Sequence, residues 1–403
     1  MIAQPIAQPI AQCPPLIEAL AEISDFRHAR GKRHPPPAIL ALVCVATLRG
    51  YRSYCAIAQW SRLYPRELVV ALGVAHPTSP CPATLSTILR HLDREPLEAK
   101  LAAWAESVLL MLPPAPIVVE AVALSDKTPR GSQHQGALNV RLLLALSHRL
   151  GLTLGQKAVD DKTNEITHVI SLLRDLVLKG RIFTMDALLT QRAIAQIRLR
   201  RIEGGGDYVM LAKGNQPNLE ADVALVFAEP PEDDHQLQAE SVDRAHGRIE
   251  RRRLIVSAAL ADYSDWPGLK QVFRIDRETL LRSTGEIRRQ TVYGVTSLDR
   301  TRADAQRLLM LTRHHWLIEN RSRWVRDATF DEDRSQVRRG STPGVMAAFR
   351  CTAIGLLGLA SESNPPQADR CLPQTCRLPA LRPRSCRHTP RQLNDPSRGS
   401  GHC

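Results

Sequence analysis

The amino-acid sequence predicts an α/β fold, preceded by an all-α N-terminal domain and interrupted by a mostly β insertion. Apolar residues recur at helical spacing from residue 16 to about residue 110. From about residue 116, short apolar segments of strand length alternate with helical segments, which is typical of sheets built from βαβ units. Between about residues 216 and 298, the periodicity returns to that of β-strands, which are separated by polar turns.

These patterns divide the 403 residues into four segments. Residues 1–15 repeat the unit IAQP and have little to bury, so we expect a disordered leader. Residues 16–112 form the helical domain, and residues 113–360 form the α/β domain, with its insertion at about 216–298. Residues 361–403 are rich in Pro, Arg and Cys without any apolar period, which predicts a disordered tail.

The helical domain contains three clear helical segments, LIEALAEI, AILALVCVATL and ATLSTILRHL. Proline-rich breaks at residues 30–37 and 75–82 separate them, because a helix does not continue through such runs. From Ser79 to Leu92 the apolar residues share one face and leave Arg90 and His91 outward. This pattern predicts the recognition helix of a helix-turn-helix, and it fits a plain helical bundle equally well.

The α/β domain starts with strands and continues with helices between strands. Five segments have strand length and apolar or β-branched content: PIVVEAVAL, VRLLLALSH, LTLGQKAV, RIFTMDA and DYVMLAK. Helices are predicted over 165–178 and 190–202, so the later strands form βαβ units. The insertion contributes RRRLIVSA, KQVFRIDR and EIRRQTVYGV, and two helices follow over about 301–327 and 343–360.

The charge balance points to a polyanionic partner. Lys and Arg total 54 against 41 acidic residues, which gives a net charge of +13. Nucleic acid is therefore the first partner to expect. The apolar run from Ala38 to Leu48 is too short to span a bilayer, and the N-terminus lacks an export signal, so we expect no membrane partner. The nine scattered cysteines fit reduced thiols in a cytoplasmic protein.

Two carboxylates follow predicted strands. Asp186 ends the strand in RIFTMDALL, and Asp126 ends the strand in IVVEAVALSD. Ligands of α/β sheets bind at the carboxyl edge of parallel strands, and a pair of carboxylates there selects Mg²⁺ or Mn²⁺. The alternative is that each is only a helix cap or a turn residue.

A third carboxylate lies on the long helix near residue 319. Thr312, His315, Glu319, Arg323 and Arg326 are spaced by three or four residues, so they share one helical face. A glutamate flanked by arginines can hold an ion while the arginines bind phosphate oxygens. The alternative is a solvated face with Glu-to-Arg pairs one turn apart.

Several long motifs occur in one order along the chain. They are RGKRHPPPAILALVCVATLRGYRSYCAIAQW, DKTPRGS, GQKAVDDKTNEI, TMDALLTQRAIAQI, GGDYVMLAKGNQPNL, HGRIERR, HHWLIEN and RWVRDATFDEDRSQVRRG. In this order the chain resembles the H-repeat-associated transposases of bacterial insertion sequences, from about residue 17 to residue 360. The resemblance implies an RNase H-like domain of the DDE type, which holds Mg²⁺ or Mn²⁺ with two Asp and one Glu. It also implies cut-and-paste transposition of double-stranded DNA at terminal inverted repeats, by a homodimer associated with the nucleoid.

The resemblance assigns roles to single residues. Asp186 matches the second Asp and Glu319 the Glu, and Asp126 is taken as the first carboxylate. Arg326 stands where related families place a basic residue seven positions after the Glu. The cations expected to bind phosphates near the scissile bond are Lys127, Arg130, Lys213, Arg323 and Arg326.

The chain departs from the family at the first carboxylate. The family motif reads Asp-Gly-Lys-Thr, whereas this chain reads Ser125-Asp126-Lys127-Thr128. Arg323 also stands where the family usually has His. Two alternatives therefore stay open beside an active transposase: a catalytically impaired DNA-binding remnant or regulator, and a host nuclease with the same core.

Overall fold

The computed structural model of the protein describes the chain in eleven segments. These are residues 14–28, 32–63, 70–74, 79–111, 119–127, 140–160, 165–176, 180–200, 205–245, 247–335 and 340–360. The predicted tail and all but the last two residues of the predicted leader lie outside these ranges.

Helices occupy the described part of the chain up to residue 111. They are α1 (Leu16–Ala21), α2 (Pro36–Leu48), α3 (Tyr54–Leu63), α4 (Pro82–His91) and α5 (Arg94–Met111). The proline-rich breaks end where α2 and α4 begin, because proline lacks an N–H and suits the first turn of a helix. Ile39, Leu40 and Leu85 are fully buried between these helices.

Within the described ranges, nine strands form one sheet in the order β3-β2-β1-β4-β5-β9-β8-β7-β6. The strands are β1 (Ala121–Lys127), β2 (Val140–Ser147), β3 (Thr153–Asp160), β4 (Ile182–Met185), β5 (Asp207–Ala212), β6 (Leu237–Ala245), β7 (Arg248–Ser257), β8 (Gln271–Leu281) and β9 (Ile287–Thr296). β4 pairs in parallel with both β1 and β5, and the other pairs are antiparallel. The predicted α/β class is confirmed.

The two faces of the sheet carry different helices. One face packs against α5, α6 (Glu165–Asp175), α7 (Arg192–Arg200) and α8 (Pro217–Ala228). The opposite face packs against α9 (Ala305–Trp324), whose Leu308 and Leu311 contact strand residues such as Val209. Successive residues of a strand point to opposite faces, so this division shows which side chains can reach α9.

The insertion differs from the prediction in two respects. It begins with α8, whose apolar residues Leu219, Val223 and Val226 are buried, so helical spacing in PNLEADVALVF was missed. It also contains β6, an exposed edge strand whose polar sequence LQAESVDRA gives little strand signal. Strands β6 to β9 extend the main sheet through the β5–β9 pair.

The last described helix, α10 (Thr342–Ala360), packs on the N-terminal helices. Val345, Met346 and Phe349 are buried with residues of α2, α4 and α5. The window Thr342–Leu359 is long and apolar enough to cross a membrane by length and composition alone, but 78% of it is buried inside the protein. Its apolar character is accounted for by packing in the core.

Candidate active site

Asp186 lies at the carboxyl edge of β4, where the polypeptide leaves the sheet. Its Oδ1 accepts a hydrogen bond from the backbone N–H of Leu188 at 3.0 Å, so it caps a short 3₁₀ turn over Ala187–Leu189. The side chain is partly exposed. Asp186 is therefore both the turn residue of the simpler interpretation and a carboxylate open to a ligand.

The loop after Asp186 is tied to the neighbouring strand. The Thr190 hydroxyl lies 2.6 Å from the carbonyl oxygen of Leu211 in β5 and 3.1 Å from that of Asp186. Asn215 Nδ2 donates to the carbonyl oxygen of Ala187 at 2.5 Å. These bonds hold the backbone at the β4 edge in place, and Asn215 belongs to the motif GGDYVMLAKGNQPNL.

The predicted first carboxylate, Asp126, points away from this face, which corrects its assignment. β1 remains paired with β2 through Lys127, so the strand has not ended at Asp126. Leu124 belongs to the core under α5 and α6, whereas Ala123 contacts α9. By strand alternation, Asp126 lies on the Leu124 side, and the buried Ser125 lies on the α9 side with Asp186.

The helix α9 brings Glu319 over the same face. His315 Nδ1 lies 2.8 Å from the hydroxyl of Thr184 in β4. One turn later, Ile318 packs against Ala123 of β1. Glu319 follows Ile318 directly, so its backbone lies next to β1 and β4. Its side chain lies outside the described atoms.

Arg326 does not face the site, which corrects its predicted phosphate-binding role. The regular α-helix ends at Trp324, and residues 325–329 form a π-helical turn that changes the angular spacing of the side chains. The Arg326 side chain is fully buried and donates to Glu332 at 2.8 and 3.1 Å. Arg350 of α10 binds the same glutamate at 3.0 Å, so Arg326 is part of a buried ion triad.

The structure describes the side chains of only some of the other predicted phosphate ligands. Lys213 is exposed directly after β5, at the edge that carries Asp186. The backbones of Lys127 and Arg323 are at the ends of β1 and α9, but their side chains lie outside the described atoms. Arg130 lies outside the described residues altogether.

Polar contacts join the insertion to α9. Arg313 of α9 forms an ion pair with Asp243 of β6, and Arg252 of β7 binds that aspartate at 2.6 Å. Arg252 also binds Glu250 at 2.8 Å, and both belong to the HGRIERR motif. The motif thus helps to fix α9 against the sheet.

A divalent cation fits part of this arrangement. Among the described side chains, no three His, Cys, Asp or Glu residues are grouped to hold a metal ion. The α9 side offers the Asp186 carboxylate, the Ser125 hydroxyl and the backbone position of Glu319. Carboxylate oxygens suit Mg²⁺ or Mn²⁺, so two of the three positions have the right chemistry and the third supplies a neutral oxygen.

Known families and proteins are similar to most of the chain. A family model described as a transposase DDE domain matches residues 122–356, and a DDE_Tnp_1-associated model matches residues 17–105. A Xanthobacter autotrophicus protein named "Uncharacterized protein in dhlA 3'region" is 36% identical over 63% of this chain and 85% of its own. YncI of Escherichia coli O157:H7, named as a candidate transposase, is 29% identical over 85% of this chain and 87% of its own.

The chain is also similar to a further relative and to a solved structure. YhhI of Escherichia coli (strain K12), named as a candidate H repeat-associated transposase, is 32% identical over 59% of this chain and 64% of its own. A solved piggyBac transposase synaptic complex with hairpin DNA has a TM-score of 0.37 and 10% identity, covering 92% of this chain and 79% of that one. By its matching DDE domain and its relatives, the chain belongs to the H-repeat-associated family of DDE transposases.

Proposed function

We propose that this transposase performs cut-and-paste transposition of an insertion sequence by cleaving and joining phosphodiester bonds at terminal inverted repeats. The observation that carries the proposal is that Asp186 ends β4 on the sheet face that α9, the helix of Glu319, crosses. Cleavage and strand transfer need carboxylates at such an edge and no covalent intermediate with the protein.

Asp186 and Glu319 would hold Mg²⁺ or Mn²⁺. When bound, the cation supplies Lewis acidity to the scissile phosphate and activates the attacking oxygen. Lys213 is placed to bind a phosphate oxygen at the same edge, and Lys127, Arg130 and Arg323 are proposed to do so from the neighbouring segments. These cations position the DNA backbone without reading its sequence.

The N-terminal helices are proposed to recognise the DNA ends. Helix α4 has a buried apolar side with Leu85 and Ile88, and His91 is exposed at its end. The net charge of +13 supports binding to the DNA backbone. Two ends must be held together for transposition, so we propose a homodimer on DNA.

A second function is favoured by one observation. Ser125 occupies the strand position that faces Asp186 and α9, and its hydroxyl brings no negative charge to a cation. A chain that binds the repeats and cuts them poorly would act as a remnant or a regulator of related elements.

A supercoiled donor plasmid carrying the inverted repeats separates the candidate functions. The active transposase cuts at the repeat ends only when Mg²⁺ or Mn²⁺ is present. The regulator shifts repeat DNA in a gel without cutting it, and a host nuclease cuts a plasmid lacking repeats equally well. A chain that neither binds nor cuts repeat DNA would contradict the proposal.

A further inference from the structure

A chain of three polar side chains connects the strand of Asp186 with the helix of Glu319. Nε2 of His148 lies 2.8 Å from the hydroxyl oxygen of Thr184, and that oxygen lies 2.8 Å from Nδ1 of His315. Thr184 is 1% exposed and His315 3%. Because hydrogen bonds strengthen where water is excluded, this link between β4 and α9 is directional and well shielded.

The three groups match one another as hydrogen-bond donors and acceptors. A threonine hydroxyl has one hydrogen, so it donates to one imidazole and accepts from the other. Burial lowers the pKa of His148 to about 3, and the nearby His315 and His314 contribute to this shift. The ring is therefore neutral at neutral pH. Its buried Nδ1 has no hydrogen-bond partner within the described structure. The three groups therefore form one continuous hydrogen-bonded chain, whichever ring carries its hydrogen toward the hydroxyl.

The spacing of these residues relates them to the two carboxylates. Thr184 precedes Asp186 by two residues, so both side chains point to the α9 side of the sheet. His315 precedes Glu319 by four residues, so both lie on one face of α9, one turn apart. A directed bond between Thr184 and His315 therefore sets the rotation of α9 and its height over β4. Apolar contacts such as that of Ile318 are non-directional and do not fix these two coordinates.

We infer that Thr184 and His315, supported by His148, are positioning residues that set the separation between the Asp186 and Glu319 carboxylates. The inference rests on the proposed function, since the separation matters only if the two carboxylates share divalent cations. Metal sites work only when their ligands are held to within about 0.5 Å of the required geometry. The Thr184 hydroxyl supplies that precision from beneath the site without touching the ion.

The test measures Mn²⁺ binding to the full chain, since binding reports on the site without requiring DNA cleavage. Thr184→Val removes the hydroxyl and keeps the shape, whereas Thr184→Ser keeps the hydroxyl. Thr312→Val is the matched control, because Thr312 is buried in the same helix and its hydroxyl lies 2.9 Å from the carbonyl oxygen of Leu308 within α9. Each variant is made in the natural chain and in a chain carrying Ser125→Asp and Asp126→Gly. Mn²⁺ dissociation constants come from electron paramagnetic resonance, and melting temperatures are recorded beside them.

We expect Thr184→Val to weaken Mn²⁺ binding about 10- to 100-fold, Thr184→Ser to restore it, and Thr312→Val to leave it within about twofold. Thr184→Cys, which keeps the volume and bonds weakly, should fall between and carries the test if the valine variant does not fold. Equal Mn²⁺ affinity in the Thr184→Val, Thr184→Cys and Thr312→Val chains would overturn the positioning role.

Asp186→Ala distinguishes this failure from failure of the proposed function. Lost binding in Asp186→Ala, with unchanged binding in Thr184→Val, refutes the positioning role alone. Unchanged binding in Asp186→Ala, or no Mn²⁺ binding to the chain with Ser125→Asp and Asp126→Gly, refutes the proposed metal site and this inference with it.

Discussion

The strands β4 and β1 lie side by side in parallel, yet they present different chemistry to the helix above them. Ala123 pairs with Thr184, so two residues later Ser125 and Asp186 stand at the same level on the same face. β4 ends there in a carboxylate, whereas β1 offers a hydroxyl and turns Asp126 to the opposite side. Moving the aspartate by one residue along a strand therefore places its carboxylate on the opposite face of the sheet, away from Asp186.

The largest effect on DNA cleavage is expected from removing the carboxylate at the end of β4. In a chain carrying Ser125→Asp and Asp126→Gly, Asp186→Ala should lower Mg²⁺-dependent end cleavage roughly 1000-fold or more, because it removes a ligand of the ion. Repeat binding in a gel shift should be nearly unchanged, since the basic DNA surface remains. The measurement is cleavage of donor plasmid over time.

Asp262→Ala is the control, because Asp262 is exposed and lies in the β7–β8 connection, whose Leu260 and Trp266 pack on the sheet face opposite α9. Its cleavage rate should equal that of the parent chain. Near-parental cleavage by the Asp186→Ala chain would show that the β4 edge is not the active site. The difference between the ends of β4 and β1 would then have no bearing on catalysis.

The second prediction concerns the stability that the buried ion triad of Arg326, Glu332 and Arg350 gives to the fold. Glu332 is 2% exposed and binds both Arg326 and Arg350, so Glu332→Ala leaves two buried guanidinium groups without their carboxylate. Breaking a buried ion pair in this way costs about 3–5 kcal/mol of the free energy of unfolding. Chemical denaturation of the full chain measures it.

The matched control is Glu286→Ala, which removes an ion pair with Arg288 at 2.7 Å. Both partners are exposed, so solvent screens the pair and we expect no measurable change in stability. A similar small change for Glu332→Ala would mean that Arg326 is free to turn toward DNA, as the sequence alone predicted.

The third effect tests whether β1 can be made equivalent to β4. Ser125→Asp together with Asp126→Gly places a carboxylate on the α9 side and should raise Mg²⁺-dependent cleavage on the order of 100-fold over the natural chain. Equal or lower cleavage would show that Asp126 already serves the ion. Ser125→Asn, with similar size and no charge, should give no such increase.

Most of the helices and strands could be predicted from the sequence, because the apolar patterns that indicate them are local. The strand at RIFTMDA and the helix around Glu319 were predicted from apolar periodicity, and both are observed. The edge strand β6 was missed because its exposed side chains are polar, and periodicity reports burial. Helix α8 was missed because short apolar stretches between turns do not distinguish strand from helix.

The site was predictable residue by residue only where local geometry decided the outcome. Asp186 follows its strand directly, so its placement was readable. Arg326 was assigned to the Glu319 face by assuming regular helical spacing, and the π-helical turn and the distant Glu332 removed it from that face. The bonds of Thr184 to His148 and His315 join residues far apart in sequence, and no spacing pattern signals them.

The smallest effect is predicted for Asp126 alone. Asp126 lies on the sheet face opposite Asp186 and α9, so Asp126→Asn removes a charge that no ion on the α9 side can use. In the natural chain, Mn²⁺ affinity and end cleavage should therefore stay within about twofold of their starting values, whereas Asp186→Asn should lose both. Calorimetric Mn²⁺ titration and plasmid cleavage on the two variants, side by side, measure the contrast directly. If Asp126→Asn also lost Mn²⁺ binding, the end of β1 would have to turn over in the presence of the ion, and strand alternation would no longer explain why the family motif places its aspartate one residue earlier.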